Sequence, residues 1–542
     1  MLYDRCTDPN NESIMHRTLL PGLALILVLA YSHAMAADSE ATFTWKTIPE
    51  LQRAMSERTL TAESLVRLNI DRINELNHQG PSLNAVIAIN PDAISQARAL
   101  DQERREKGTR GPLHGIPVLI KDNVETMDNM PTTGGSLALA ENLAGRDAPI
   151  VAALRAAGAI ILGKTNLSEW ANIRSTHSIS GWSAVGGLTR NPYVLDRTAC
   201  GSSSGTGSAI AAGMAVVGIG TETDGSVICP SSINGLVGLK PTHGLLPTTG
   251  IIPISHSQDT AGPIARNITD LAILMTALVA SNDGSAPKSD YMAALNAETL
   301  KGKRVGVFRF ASGAHPEMDV IYERALSRLR SEGVTLIEVK TPDAAPIGVA
   351  ENKVLLDELK TDLNAYLAST PPAVPTRDLA ALIEYNRKSP YELELFGQEQ
   401  FIQSQATGGV DDPGYKDALE SSRRLADAEG LDRLMRENKL DLFVAPTTTA
   451  AWRVDIVYGD TGGDSFTQLP AIAGYPHLTV PMGMVQGLPV GLSFIGPKWS
   501  DAMLVGCGFA FTNGAAPFPA PKFIPSLEGT ESAKAAWKPQ PK

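Results

Sequence analysis

Cysteine is scarce. The 542 residues hold four, Cys6, Cys200, Cys229 and Cys507, too few for a disulfide-built scaffold. The nine histidines are scattered, with no His-Glu-x-x-His and no paired Cys-x-x-Cys, so neither a metal nor another cofactor is expected. Basic residues are outnumbered, 47 against 58 acidic, and none of their runs is long enough to track a phosphate backbone. Nucleic acid is therefore not an expected partner. Long apolar runs are also missing beyond the first forty residues, which excludes a membrane-spanning helix in the rest of the chain. There is no internal repeat.

What is present is a globular composition, 43% hydrophobic, enough for one large α/β domain or two or three average ones. The start, "HRTLLPGLALILVLAYSHAMA", has a basic entry at His16 and Arg17, an apolar stretch from Leu19 to Ala30 and the small-x-small ending Ala34-Met35-Ala36. That is the pattern of a secretory signal, so residues 1–36 are expected to be removed and the chain exported, to a periplasm or beyond it. The polar leader ahead of it leaves Met1 and Met15 as alternative starts. Cleavage would leave Cys200, Cys229 and Cys507. The expectation is two buried free thiols at Cys200 and Cys229, with a single bridge between them as the alternative. A monomer that does not bind membranes once the signal is removed is expected.

"TLTAESLVRLNIDRINELN" offers Thr61 as a helix cap, with apolar Leu65, Leu68 and Ile73 at helical spacing. "GKRVGVFRF", "GVTLIEV" and "LDLFVAPT" read as buried strands, with the helix "VIYERALSRLRSEG" between the first two. Interleaved strands and helices mean an α/β sheet. Residues 341–430 are rich in helix formers and predict a helical cover. The Pro- and Lys-rich tail, 516–542, is expected to pack little.

"GAIILGKT", Gly158 to Thr165, matches the phosphate-loop pattern letter for letter. Its setting argues otherwise. A helix, "APIVAALRAAG", precedes it, and "AIIL" suits a buried strand whose amides are already used in a ladder. A second false friend is "GSSSG", Gly201 to Gly205, which fits the nucleophile elbow with Ser203 at its centre. The elbow needs an apolar strand before it, and "NPYVLDRTAC" is polar and turn-like. The surrounding stretch of Gly and Ser could also be a linker. Its apolar, small-residue middle, "AIAAGMAVVGIG", is instead what close packing of a helix on a sheet requires.

Three segments taken together, "GIPVLIKDN" with Lys121, "CGSSSG" with Ser202 and "GTETDGSVICP" with Ser226, resemble the amidase signature family. The two serines stand 24 positions apart, as in that family, and the likeness extends to "GAIILGKTNLSEWAN", "NGLVGLKPT", "SQDTAGPIAR" and "GLPVGLSFIG". The resemblance implies one α/β/α sandwich around a mixed, twisted sheet over residues 37–515. It also implies a triad of Lys121, Ser202 in a cis peptide and Ser226 as nucleophile. Physical chemistry supports those roles. A serine hydroxyl needs a base, and a lysine delivered by an apolar strand into a buried site loses proton affinity by desolvation. Moving it from about 10.4 to about 7 would cost on the order of 4 to 5 kcal/mol. Ser202 would relay the proton, and the backbone amides of Thr223, Asp224, Gly225 and Ser226 would form the oxyanion hole, with Ser203 beside them as a further substrate-binding candidate.

The sequence departs from the family pattern at Cys200 where Gly is usual, Glu222 for Asp, Asp224 for Gly and Ile228 for Arg. "ETDGSVICP", "RNPY" and "GIIPISHSQDTAGP" look like the exported peptide amidases, which convert a C-terminal carboxamide to acid and ammonia. Asp224 and the helical cover are then expected to shape a groove for the end of a small or short peptide amide. The alternatives are a broad-specificity amidase or esterase on the same residues and, in a different class, a non-catalytic exported binding protein.

Overall fold

The segments rich in Val, Ile and Leu become strands, and they are short because Gly or Pro punctuates nearly all of them. The computed structural model describes residues 43–538 apart from 311, 312, 314 and 462–464. The expected signal, 1–36, and the domain start at 37 lie outside the described residues. In chain order the strands are β1 (Val86–Ile89), β2 (Pro117–Lys121), β3 (Ile160–Thr165), β4 (Trp182–Ser183), β5 (Gly187–Leu188), β6 (Val217–Glu222), β7 (Val237–Lys240), β8 (Thr260–Ala265), β9 (Arg304–Val307), β10 (Thr335–Glu338), β11 (Leu442–Pro446), β12 (His477–Val485) and β13 (Leu488–Ile495). β4 and β5 pair by themselves, and the other eleven form one sheet in the order β1-β3-β2-β6-β8-β7-β12-β13-β11-β9-β10.

The sheet is mixed, as expected. β3, β2 and β6 run parallel, as do β11, β9 and β10, and antiparallel pairs join the two groups. Every residue of β2, β3, β6, β7, β8, β11 and β13 is buried. Strands buried on both sides need helices on both faces. Thr61 caps helix Ala62–Leu76 with reciprocal bonds to Ser64, and the helix expected after β9 spans Pro316–Ser331. Among the described residues no helix is long and apolar enough to cross a membrane.

The phosphate-loop match lies where its β-branched residues put it. Gly158, at φ +84°, ends helix Pro149–Ala156. Gly163, Lys164 and Thr165 belong to β3 itself, which is buried throughout. Lys164 Nζ donates to Val124 O at 2.5 Å and to Thr132 Oγ1 at 2.9 Å, so its charge serves the interior.

Residues 341–430 form the expected cover, beginning with helices Ala344–Ser369, Leu379–Lys388 and Glu399–Ala406. Leu359, Leu363, Leu382 and Phe401 of this layer pack with Leu139, Trp170 and Ile252 from the sheet's loops. The tail departs from expectation. Ile524 pairs with Val194, Tyr193 Oη donates to Pro519 O at 2.8 Å, Arg197 meets Glu528 at 2.9 Å, and Phe518 lies edge-on to Tyr193. Composition hid this because the strap is held by its backbone and by single anchors, which an apolar count does not register.

Truncating the chain after Gly514 is expected to lower the melting midpoint by roughly 2–5 °C. Differential scanning calorimetry showing coincident melting for the two proteins would mean that the strap contributes no packing.

Candidate active site

β2 ends on Lys121, beside the parallel strand β6 that ends on Thr221 and Glu222. The carboxyl ends of neighbouring parallel strands thus meet where α/β folds place their chemistry. Lys121 has no solvent exposure. Its Nζ lies 2.8 Å from Ser202 Oγ, 2.9 Å from Thr221 Oγ1 and 3.2 Å from Thr221 O. Burial is the main influence on the amine and brings its pKa down from 10.5 to about 7, against the weaker pull of Asp259 and Glu222. A neutral amine has two hydrogens and one lone pair. Thr221 offers two acceptors for the hydrogens, which leaves the lone pair for the Ser202 hydroxyl.

The polar run before Ser202 forms turns, as its composition indicated, and helix Ser204–Ala211 starts directly after the three serines. The Gly201–Ser202 peptide is cis. Gly205 allows that helix to sit on its neighbours, since a Cβ there would overlap the carbonyl oxygens of Ala85 and Asn166. Ser203 turns its hydroxyl to β6. Its hydroxyl donates to Thr221 O at 3.1 Å and accepts from Thr221 N–H at 3.2 Å. Its donor and one of its two acceptor sites are engaged by β6, so the Ser203 hydroxyl braces the site. Its backbone N–H donates to Ser226 O at 3.1 Å, tying the two serine loops together.

Ser226 lies in the turn between β6 and helix Ile228–Ile233, where Gly225 at φ +78° allows the chain to reverse. It is 8% exposed, whereas Ser202 and Lys121 are sealed. The outermost group of the three is therefore Ser226. Glu222 stabilises the turn by accepting from Val227 N–H at 2.7 Å and Ile228 N–H at 3.0 Å. Thr223 is anchored by its hydroxyl to Asp259 Oδ1 at 2.5 Å, and Asp259 is itself held by the N–H groups of Ile254 and Ser255.

The helical cover reaches this turn. Glu351, on helix Ala344–Ser369, accepts from Gln258 Nε2 at 3.0 Å and Gln468 Nε2 at 2.8 Å, and Gln258 also reaches Thr223 O. Burial, with Glu351 second, raises the Asp224 carboxyl well above the ordinary carboxylate range. Asp224 Oδ1 is buried without a hydrogen-bond partner. Burial raises the Glu351 carboxyl too, so each of the two resists ionisation in this dry corner.

Cys200 and Cys229 correct a further expectation. They form a disulfide, with Cα atoms 6.0 Å apart, because the loops before Ser202 and after Ser226 are folded together. Cys507 is a buried free thiol, and burial pushes its pKa up to about 12. Thr221, Asp259, Asn123 and Glu351 were not singled out from the sequence. Asn123 Nδ2 donates to Thr221 Oγ1 at 2.9 Å. Thr221 and Asp259 lie inside the stretches that carry the resemblance, and pairing β2 with β6 would have pointed to Thr221. Nothing local marks Glu351. Among the described residues, His256, Glu358 and Asp362 are close enough to surround a cation. They already bond one another or Tyr415, with His256 Nδ1 2.8 Å from Asp362 Oδ2 and the Tyr415 hydroxyl donating to Glu358 Oε1 at 2.7 Å.

Known proteins resemble this chain over most of its length. A family model described as Amidase matches residues 64–505. A probable amidase of Arabidopsis thaliana is 37% identical over 525 residues, covering 93% of this chain and 97% of its own length. The A subunit of a glutamyl-tRNA(Gln) amidotransferase of Moorella thermoacetica is 33% identical over 86% of this chain and 96% of its own. The solved structure of the native peptide amidase from Stenotrophomonas maltophilia is 44% identical, with a TM-score of 0.84, over 89% of this chain and 99% of that one. By family model, sequence and fold alike, this chain belongs to the amidase signature family and is an amidase.

Proposed function

We propose that the protein hydrolyses the C-terminal carboxamide of peptides to the acid and ammonia, with Ser226 as nucleophile, Ser202 as relay and Lys121 as base. The observation that carries the reading is the sealed amine 2.8 Å from Ser202 Oγ, linked to the more exposed Ser226 through the Ser203–Ser226 backbone bond. Neutral Lys121 takes the Ser202 proton as Ser202 takes that of Ser226, and Ser226 Oγ attacks the carboxamide carbon. The backbone amides of residues 223–226 receive the oxyanion. The C–N bond breaks as the nitrogen takes a proton back from Ser202 and leaves as ammonia, and water then opens the acyl-enzyme by the same steps reversed.

The preference for peptide amides is supported by the 44% identity to a peptide amidase and by the carboxyl pair beside the nucleophile. A pair in which each carboxyl already resists ionisation disfavours any further negative charge beside it. It tolerates a neutral carboxamide and repels the carboxylate product, which favours product release and disfavours binding of peptide acids. Export through the N-terminal segment is part of the same proposal.

Mass spectrometry of peptide amides incubated with the protein is expected to show a gain of about one mass unit with the peptide otherwise intact, and no change with Ser226→Ala; a negative panel would redirect the reading to small amides and esters. The pH profile gives a second test. Lys121 acts only after losing its proton, so kcat/KM should rise about tenfold per pH unit below the amine's value of about 7 and level off above it. A flat profile between pH 5 and 8 would remove lysine from the role of base. Asp224→Gly is expected to narrow the preference for peptide amides over simple aliphatic amides by about tenfold, read as a ratio of kcat/KM values. An unchanged ratio would detach Asp224 from specificity.

A further inference from the structure

We propose that the Cys200–Cys229 disulfide is a positioning element of the active site, holding the Ser202 loop against the Ser226 turn so that the proton relay stays in register. The inference rests on the catalytic roles proposed for those serines. Cys200 stands two residues before Ser202, and Cys229 three after Ser226, so one covalent link spans the two loops that carry the reacting hydroxyls.

Two fasteners flank the serine pair. On one side is the Ser203 N–H to Ser226 O hydrogen bond at 3.1 Å. On the other is the bridge, whose Cys229 end is tied into the turn by its N–H donating to Gly225 O at 2.8 Å. Two points of attachment fix the mutual orientation of the loops. With the bridge open, hydrogen bonds alone hold the two loops together, and the Ser202–Ser226 geometry gains a freedom that the chemistry does not tolerate, since an ångström of misplacement can cost a hundredfold in rate.

The fold itself does not hang on the bridge. Asn234 Nδ2 donates to Ala199 O at 3.0 Å and to Pro230 O at 2.8 Å, and Asn191 Nδ2 donates to Thr198 O at 3.1 Å and to Ile233 O at 3.4 Å. These bonds keep the two segments adjacent while allowing small shifts. Cys200 sits at φ +56°, a conformation glycine adopts freely, so Cys200→Gly removes the link without imposing backbone conflict. The bridge forms only in oxidising surroundings, to which the expected signal segment would deliver the chain, so export and full turnover would be coupled.

The test compares the oxidised protein with Cys200→Gly/Cys229→Ala, and with the wild type reduced by a phosphine and then reoxidised. All are assayed well below their melting midpoints, with thiol counts confirming each state. Two readouts are taken: kcat and KM on a peptide amide, and the rate at which a fluorophosphonate phosphonylates Ser226 with loss of fluoride, located by peptide mapping. The expected result is at least a tenfold fall in kcat and in labelling rate for the bridge-free forms, KM within twofold, and recovery on reoxidation. Equal kcat and labelling rates with and without the bridge would overturn the proposal, as would a loss confined to KM. If the oxidised protein is labelled at Ser226 but hydrolyses no amide, the functional reading has failed, and the ratio of labelling rates still decides the role of the bridge. No labelling at Ser226 in the oxidised protein would overturn both.

Discussion

Lys121 is sealed from solvent, and among the described residues no carboxylate makes a salt bridge to it; Asp259 and Glu222 act on it only at longer range. An ammonium in that position loses its hydration without the partner that would compensate. Below the folded value of about 7, where the amine is protonated in both folded and unfolded chains, its burial opposes folding by about 5 kcal/mol. The penalty shrinks as the pH rises through that value and is gone above the unfolded value of 10.5. The surrounding structure has to supply this energy, and much of the fold's middle is arranged to do so. Strands β2, β3 and β6 are buried over their whole length, and Thr221 gives the amine two acceptors in place of water.

The same interior contains two more lysines, Lys164 and Lys240, both sealed, and burial lowers each to about 8. Acids oppose that lowering, chiefly Asp122 for Lys164 and Glu222 for Lys240. The contrast is one of environment, since the residue type is the same. Lys121 has two acids acting on it against four for Lys164 and three for Lys240, and a serine beside its amine, which is the setting the proposed base requires.

The strands and helices were largely legible because β-branched runs and helix caps act locally. "AIIL" could be placed in a strand, against the phosphate-loop match, on the width of isoleucine alone. Lys121, Ser202 and Ser226 were legible as a spaced set. Ser203 was not, because three adjacent serines look alike in a sequence, and only the meeting with Thr221 reveals which hydroxyl is already satisfied. The bridge was missed for a related reason. A separation of 29 residues says nothing of the direction in which two loops return. Glu351 belongs to a cover helix whose docking on the Ser226 turn has no local signal at all.

The C-terminal strap carries a consequence for how the protein is made. Tyr193 and the Pro519 carbonyl it bonds are 326 residues apart, and Arg197 is 331 residues from Glu528. Synthesis runs from the amino end, so a nascent chain long enough to contain Lys121, Ser202 and Ser226 still lacks the segment that closes over the approach to Cys200. That approach stays unpaired on one side until residues 519–528 have emerged, so its frame is completed long after its own synthesis.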